Sequence, residues 1–105
     1  MTDFSYIVDT ESAPPVGRLA GDIDLASADS LQEAIEATET SGNGGDVVLD
    51  MSAVTFLDSS GLRVLVTAND RIGARGDRLV IRSPSSSVSR VLEITGLLTA
   101  IAVED

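Results

Sequence analysis

The stretch VVLDMSAVTFLDSSGLRVL, residues 47–65, decides the fold. Val47, Val48 and Leu49 form a continuous apolar run, the mark of a strand buried on both faces in a sheet with helices packed on it. Leu62, Leu65, Val66, Asn69 and Ile72 then recur at helical spacing, so a central strand passes almost directly into an amphipathic helix. Between the two patterns stands Asp58-Ser59-Ser60-Gly61, which puts a carboxylate and two hydroxyls at the helix mouth. The first helical N–H groups lack intrahelical partners and carry the positive end of the backbone dipole, so this location favours an anion.

Upstream, Phe4, Tyr6 and Val8 alternate with Ser5, Ile7 and Asp9 and predict a first strand. Ala13-Pro14-Pro15 interrupts it before a second strand over residues 16–20, and the pair reads as a hairpin. After Gly21-Asp22-Ile23-Asp24, Ser27 is placed to cap a helix with Leu31, Ala34, Ile35 and Thr38 on one face and Glu33, Glu36 and Glu39 turned outward. The loop SGNGG, residues 41–45, ends that helix.

Downstream, the helix opening at Ser59 or Ser60 stops around residues 73–76, and Leu79-Val80-Ile81 supplies a further strand. Residues 85–87 offer caps for a helix with Val88, Val91, Leu92 and Thr95 inward, closed by Gly96. Residues 97–103 then make a last helical turn and a short strand. Helices and strands alternate, so the class is α/β, and 105 residues make one domain, residues 1–105, around one core. That core is aliphatic, because the only aromatic residues are Phe4, Tyr6 and Phe56.

Composition removes whole classes of chemistry. Without Cys or His the chain lacks disulfides, thiolate nucleophiles, the usual neutral-pH base and the commonest metal ligands, and no metal or cofactor is expected. All seven basic residues are Arg, which also excludes Schiff-base chemistry and a phosphate-loop lysine. Residues 1–60 hold twelve acids against Arg18 alone, whereas residues 61–105 hold five acids against six Arg. With a net charge of −10, nucleic acid is not an expected partner. No apolar run reaches the length of a membrane span and residues 1–9 carry acid rather than a basic leader, so a soluble, cytoplasmic protein without membrane insertion is expected.

Three readings compete at Asp58-Ser59-Ser60-Gly61. The first is a helix cap, since Asp and Ser both accept from the amides of the first turn. The second makes a serine the nucleophile of a strand–turn–helix elbow, but the G-x-S-x-G spacing fails and no His activates the hydroxyl, so an enzyme is not expected. In the third, a serine accepts phosphate, adding about −1.5 to −2 charges at a helix end beside Asp58 and the acidic segment around Asp22 and Asp24.

Gly21-Asp22-Ile23-Asp24, the DMSAVTFLDSSGLRVL segment (residues 50–65) and the SPSSSVSRVLEITGLLTAI segment (residues 83–101) resemble, in order, the successive signatures of bacterial anti-sigma factor antagonists, the small single-domain STAS proteins. The first departs slightly from the commoner Gly-Glu-Leu-Asp. The resemblance implies a mixed β-sheet of four or five strands with helices packed on it. It also implies a binding switch: the unphosphorylated form binds an ATP-dependent anti-sigma serine kinase of the GHKL type and releases its sigma factor, phosphorylation ends that binding, and a serine phosphatase restores it. By motif position the phosphoacceptor is Ser59. Asp22, Asp24, Asp58, Ser60, Gly61 and Leu62 are the expected partner-binding residues around it, with Asp24 equally readable as a turn or cap residue. The alternative is a scaffold or subunit role in a stressosome-like or transporter-associated assembly, without a phospho-switch.

Overall fold

A computed structural model describes residues 3–105. Along the chain run β1 (Ser5–Asp9), β2 (Val16–Ile23), a 3₁₀ turn (Leu25–Ser27), α1 (Ala28–Thr40), β3 (Val47–Leu57), α2 (Ser59–Ala74), β4 (Leu79–Arg82), α3 (Ser86–Thr95), a second 3₁₀ turn (Leu97–Thr99) and β5 (Ala102–Glu104). The strands form one five-stranded sheet in sequence order. β1 and β2 are the antiparallel hairpin, and β2 to β5 are all parallel. Each parallel step needs a crossover, which α1, α2 and α3 supply in turn. The result is the expected mixed α/β sheet, with β3 at its centre.

The helices bury one face of the sheet. Leu19 and Ile23 of β2, Leu49, Met51, Val54 and Leu57 of β3, and Leu79 and Ile81 of β4 pack against Leu31 and Ile35 of α1, Leu65 and Ile72 of α2, and Val88 and Leu92 of α3. Each large aliphatic side chain buried in this way stabilises the fold by roughly 1.5–3 kcal/mol. The opposite face is built differently. Val16, Val48, Val80 and Ala102 are register partners across β2 to β5 and form a separate cluster that contains no helical residue. Two residues along, Arg18, Asp50, Arg82 and Glu104 form a second cross-strand row of alternating charge, with ion pairs of 3.1 Å from Arg18 to Asp50 and 2.6 Å from Arg82 to Glu104. Val48 is therefore buried as its apolar run predicts, but neighbouring strands rather than a helix cover its second face.

Four local readings change. β2 runs to Ile23, beyond the predicted residues 16–20, because register shifts at Arg18/Ala20 and Gly21/Asp22 keep it paired with β3 as far as Leu57. Gly21 permits this with φ +90°, where a Cβ would also meet the backbone carbonyl of Asp3. The fully buried stripe of α2 is Gly61, Leu65, Ala68 and Ile72, while Leu62, Val66 and Asn69 are half-buried at its edges. Glu39 does not face solvent: its carboxylate is gripped by Arg71 at 2.6 Å and Arg75 at 2.8 Å, tying α1 to α2. Thr95 is exposed rather than inward, its hydroxyl donating to the Val91 carbonyl at 2.7 Å.

Candidate functional site

β3 ends at Leu57, and Asp58 turns the chain into α2. Asp58 is the N-cap: its Oδ1 accepts from the amides of Ser60 at 2.9 Å and Gly61 at 3.2 Å, and its carbonyl accepts from the Leu62 amide at 3.0 Å. The capping reading is thus correct for Asp58. It leaves the serines free for something else. Ser59 is the first residue of α2 and is exposed, and among the described residues nothing hydrogen-bonds its hydroxyl; Ser60, one residue on, is half-buried.

The anion-attracting property expected of this helix mouth is partly spent. Two of the amides that an anion would seek already bind the Asp58 carboxylate, so a phosphate on Ser59 would lie beside a negative charge rather than in an empty amide cradle.

Gly61 shows why α2 sits where it does. A Cβ at this position would lie 2.5 Å from Ile23 Cγ2 and 2.6 Å from Leu57 Cδ1, so only glycine lets the first turn of α2 rest on the ends of β2 and β3. Gly61 is buried, and what it gives the surface is the placement of Ser59. Leu62 is half-buried and packs against the core.

The second part of the site is the β2–α1 loop. Asp22 Oδ1 accepts from the Thr55 hydroxyl at 2.6 Å, linking this loop to β3. Asp24 caps the 3₁₀ turn, its Oδ1 accepting from the amides of Ala26 at 3.0 Å and Ser27 at 3.2 Å. Ser27 returns the contact, its hydroxyl accepting from the Asp24 amide at 2.9 Å, and it donates to the Asp22 carbonyl at 3.0 Å. Ser27 is the residue before α1 but makes no side-chain cap to it, because its hydroxyl is engaged by the loop. The expected Ser27 cap is therefore replaced by a reciprocal Asp24–Ser27 box one turn earlier.

These two parts meet because the Asp58 amide donates to the Ile23 carbonyl at 3.1 Å. Asp22, Asp24, Asp58, Ser59, Ser60, Gly61 and Leu62 thus lie on adjoining segments. Two apolar residues beside them were not singled out from the sequence. Leu25, in the 3₁₀ turn, is 79% exposed, and Phe56, at the end of β3, is 49% exposed. An apolar residue between a capping Asp and Ser was the only available signal for Leu25, since a single turn has no periodicity. Among the described residues no group of His, Cys, Asp or Glu is placed to hold a metal ion, and no helix is long and apolar enough to cross a membrane.

Comparison with known proteins agrees with this architecture. The STAS domain family model matches residues 7–105. The chain is 33% identical over 87 residues to an anti-sigma-B factor antagonist of Listeria monocytogenes, covering 83% of this chain and 75% of that one. It superposes on the crystal structure of an anti-sigma factor antagonist from Mycobacterium paratuberculosis with a TM-score of 0.83 at 25% identity, over 97% of this chain and 86% of that one. The unphosphorylated anti-sigma factor antagonist SpoIIAA shares the fold, with a TM-score of 0.74 at 20% identity over 94% of this chain and 87% of that one. The chain belongs to the STAS domain family.

Proposed function

We propose that this protein is an anti-sigma factor antagonist that works as a phosphorylation-controlled binding switch in the cytoplasm. The unmodified form binds an anti-sigma serine kinase of the GHKL type and releases the sigma factor held by it. Phosphorylation of Ser59 ends that binding, and a serine phosphatase restores it. One observation carries the reading: the Ser59 hydroxyl is exposed and unengaged at the start of α2, beside the carboxylate of Asp58.

The chemistry follows from charge and proximity. A kinase must bring the γ-phosphate of ATP in line with the acceptor oxygen. The serine oxygen attacks phosphorus, ADP leaves, and the hydroxyl proton passes to a base. This chain has no His, and Asp58 is engaged as a cap, so the base belongs to the kinase. After transfer, Ser59 carries about −1.5 to −2 charges, placed where the kinase holds a nucleotide polyphosphate. Like charge now meets like charge across the interface, with Asp58 adding to the repulsion. Release follows without unfolding, because Ser59 is on the surface and the core beneath it is unchanged.

Docking of the unmodified form has an apolar contribution from Leu25 and Phe56, and the surrounding Asp22, Asp24 and Asp58 suit a partner whose rim is basic. The test is calorimetric titration of the kinase with wild type, Ser59→Ala and Ser59→Glu, alongside circular dichroism. Ser59→Ala binds as wild type; Ser59→Glu keeps its fold and loses on the order of tenfold or more in affinity, about 1.4 kcal/mol per decade. Equal binding by all three contradicts the switch and favours an assembly role that does not depend on Ser59.

A further inference from the structure

Five of this molecule's seven arginines, Arg18, Arg71, Arg75, Arg78 and Arg82, form ion pairs. Two exposed ones, Arg90 on α3 and Arg63 on α2, have no carboxylate partner among the described residues, and of these two only Arg63 lies on the helix that Ser59 opens. This is notable in a chain with 17 acids and seven arginines. Its neighbours explain the vacancy. One turn back on α2 stand Ser59 and Ser60, one turn forward stands Thr67, and the groove of about 210 Å³ that Arg63 lines between α1 and α2 presents Gln32 and Arg71. Every one of these is neutral or basic.

Ser59 and Arg63 are four residues apart on one helix, which brings their Cβ atoms to about 5–6 Å. Long helical side chains lean toward the helix N-terminus, so the first turn, where Ser59 lies, is within reach of the Arg63 guanidinium. The acid comes first and the base second, the orientation that also complements the helix dipole.

We infer that Arg63 is the intramolecular partner of the phosphate on Ser59, a positioning residue that closes on it only in the modified state. The inference rests on Ser59 being the phosphoacceptor. The Ser60 and Gly61 amides are held by Asp58, so the helix mouth supplies little to the incoming dianion, and Asp58, Asp22 and Asp24 all oppose it. Arg63 is the cation on its own helix face, with donors in a planar fork that matches phosphate oxygens. The clamp lays the phosphate along α2, favours its dianionic form and protects it from the phosphatase. Before phosphorylation Arg63 has no anion to hold, so it leaves the unmodified fold unaffected.

The test places phosphoserine at position 59 by genetic encoding, so that no kinase is needed, and follows the phosphate by ³¹P NMR titration in the Arg63, Arg63→Lys and Arg63→Gln proteins. A neighbouring cation favours the dianion and lowers the second phosphate pKa from its usual value near 6. Because the three aspartates are common to all three proteins, the comparison isolates Arg63. Arg63→Gln should raise the pKa by roughly a third of a unit, with Arg63→Lys in between and the difference shrinking in 1 M salt. The Arg63→Gln phosphoprotein should also lose its phosphate faster to the phosphatase. Identical titrations overturn the inference, as does a variant whose only change is a lower melting temperature in the unphosphorylated state. Site mapping after kinase treatment reads the Ser59 assignment separately.

Discussion

The amide of Asp58 donates to the carbonyl of Ile23 at 3.1 Å, clipping the start of α2 to the end of β2. With the β2–β3 pairing that runs to Ile23 and Leu57, this bond sets the acidic β2–α1 loop beside the start of α2, so that the Ser59 hydroxyl, three carboxylates and the exposed Leu25 lie on adjoining segments.

The seat of α2 depends on a missing side chain. Gly61→Ala places a methyl group 2.5 Å from Ile23 Cγ2 and 2.6 Å from Leu57 Cδ1, both of them buried side chains. Alanine is the better helix former by about 1 kcal/mol in a helix interior, but at the third residue of α2 that gain is smaller than the cost of overpacking. Urea melts should show a net loss of about 1–2 kcal/mol; a variant as stable as wild type would mean that α2 is not seated by close approach.

Asp24 separates capping from recognition. Asp24→Ala removes the side chain that holds the amides of Ala26 and Ser27 and should cost about 1 kcal/mol of stability. Asn caps as well as Asp, so Asp24→Asn should melt like wild type while its affinity for the kinase falls on the order of tenfold. Unchanged affinity in the stable Asn variant would reduce Asp24 to a structural residue.

Leu25 is exposed and contributes nothing to the core, so Leu25→Ser should alter stability by no more than about 0.5 kcal/mol. Kinase affinity should nevertheless fall by about tenfold, because an exposed apolar side chain close to the proposed switch serine is the kind of group that an interface buries. Native binding by a folded Leu25→Ser protein would remove the apolar contribution from the docking surface.

Glu39 makes stability depend on pH. The hydrogen bond from Arg71, with a further one from Arg75, holds its carboxyl below the ordinary value of 4.5. A group whose pKa is depressed by folding contributes stability above its unfolded pKa and loses it as pH falls through the folded value. Wild type should therefore exceed Glu39→Gln by about 1 kcal/mol at pH 7, with the gap narrowing as pH falls below about 4.5. Asp9, held low chiefly by Arg18, and Asp46, held low chiefly by Arg78, remain in both proteins and titrate alike. Urea melts at pH 7, 5, 4 and 3 measure the gap, and a constant difference across that range would contradict the assignment.

Most of the element order was legible because it is written in local patterns: the alternation in β1, the aliphatic run in β3, and the four-residue face of α1, whose Leu31, Ala34, Ile35 and Thr38 are all buried. The place of Ser59 at the start of α2 was legible for the same reason, at the junction of two periodicities. What was missed depends on packing between distant segments. Glu39 looked solvated because its partners, Arg71 and Arg75, lie on another helix. The stripe of α2 is centred one residue earlier than its leucines suggest because Gly61, invisible to a count of apolar side chains, occupies the tightest contact. Leu25 sits in a turn too short to have a pattern, and the cap beside it was assigned to Ser27 because Asp24 and Ser27 are each good capping residues and only the loop geometry decides between them.

Site mapping by mass spectrometry tests the central claim most directly, after wild type, Ser59→Ala and Ser60→Ala are incubated with the cognate anti-sigma kinase and ATP. One phosphate should appear on Ser59 in wild type and in Ser60→Ala, and none in Ser59→Ala. Phosphate that persists in Ser59→Ala, or that disappears only in Ser60→Ala, would contradict the account.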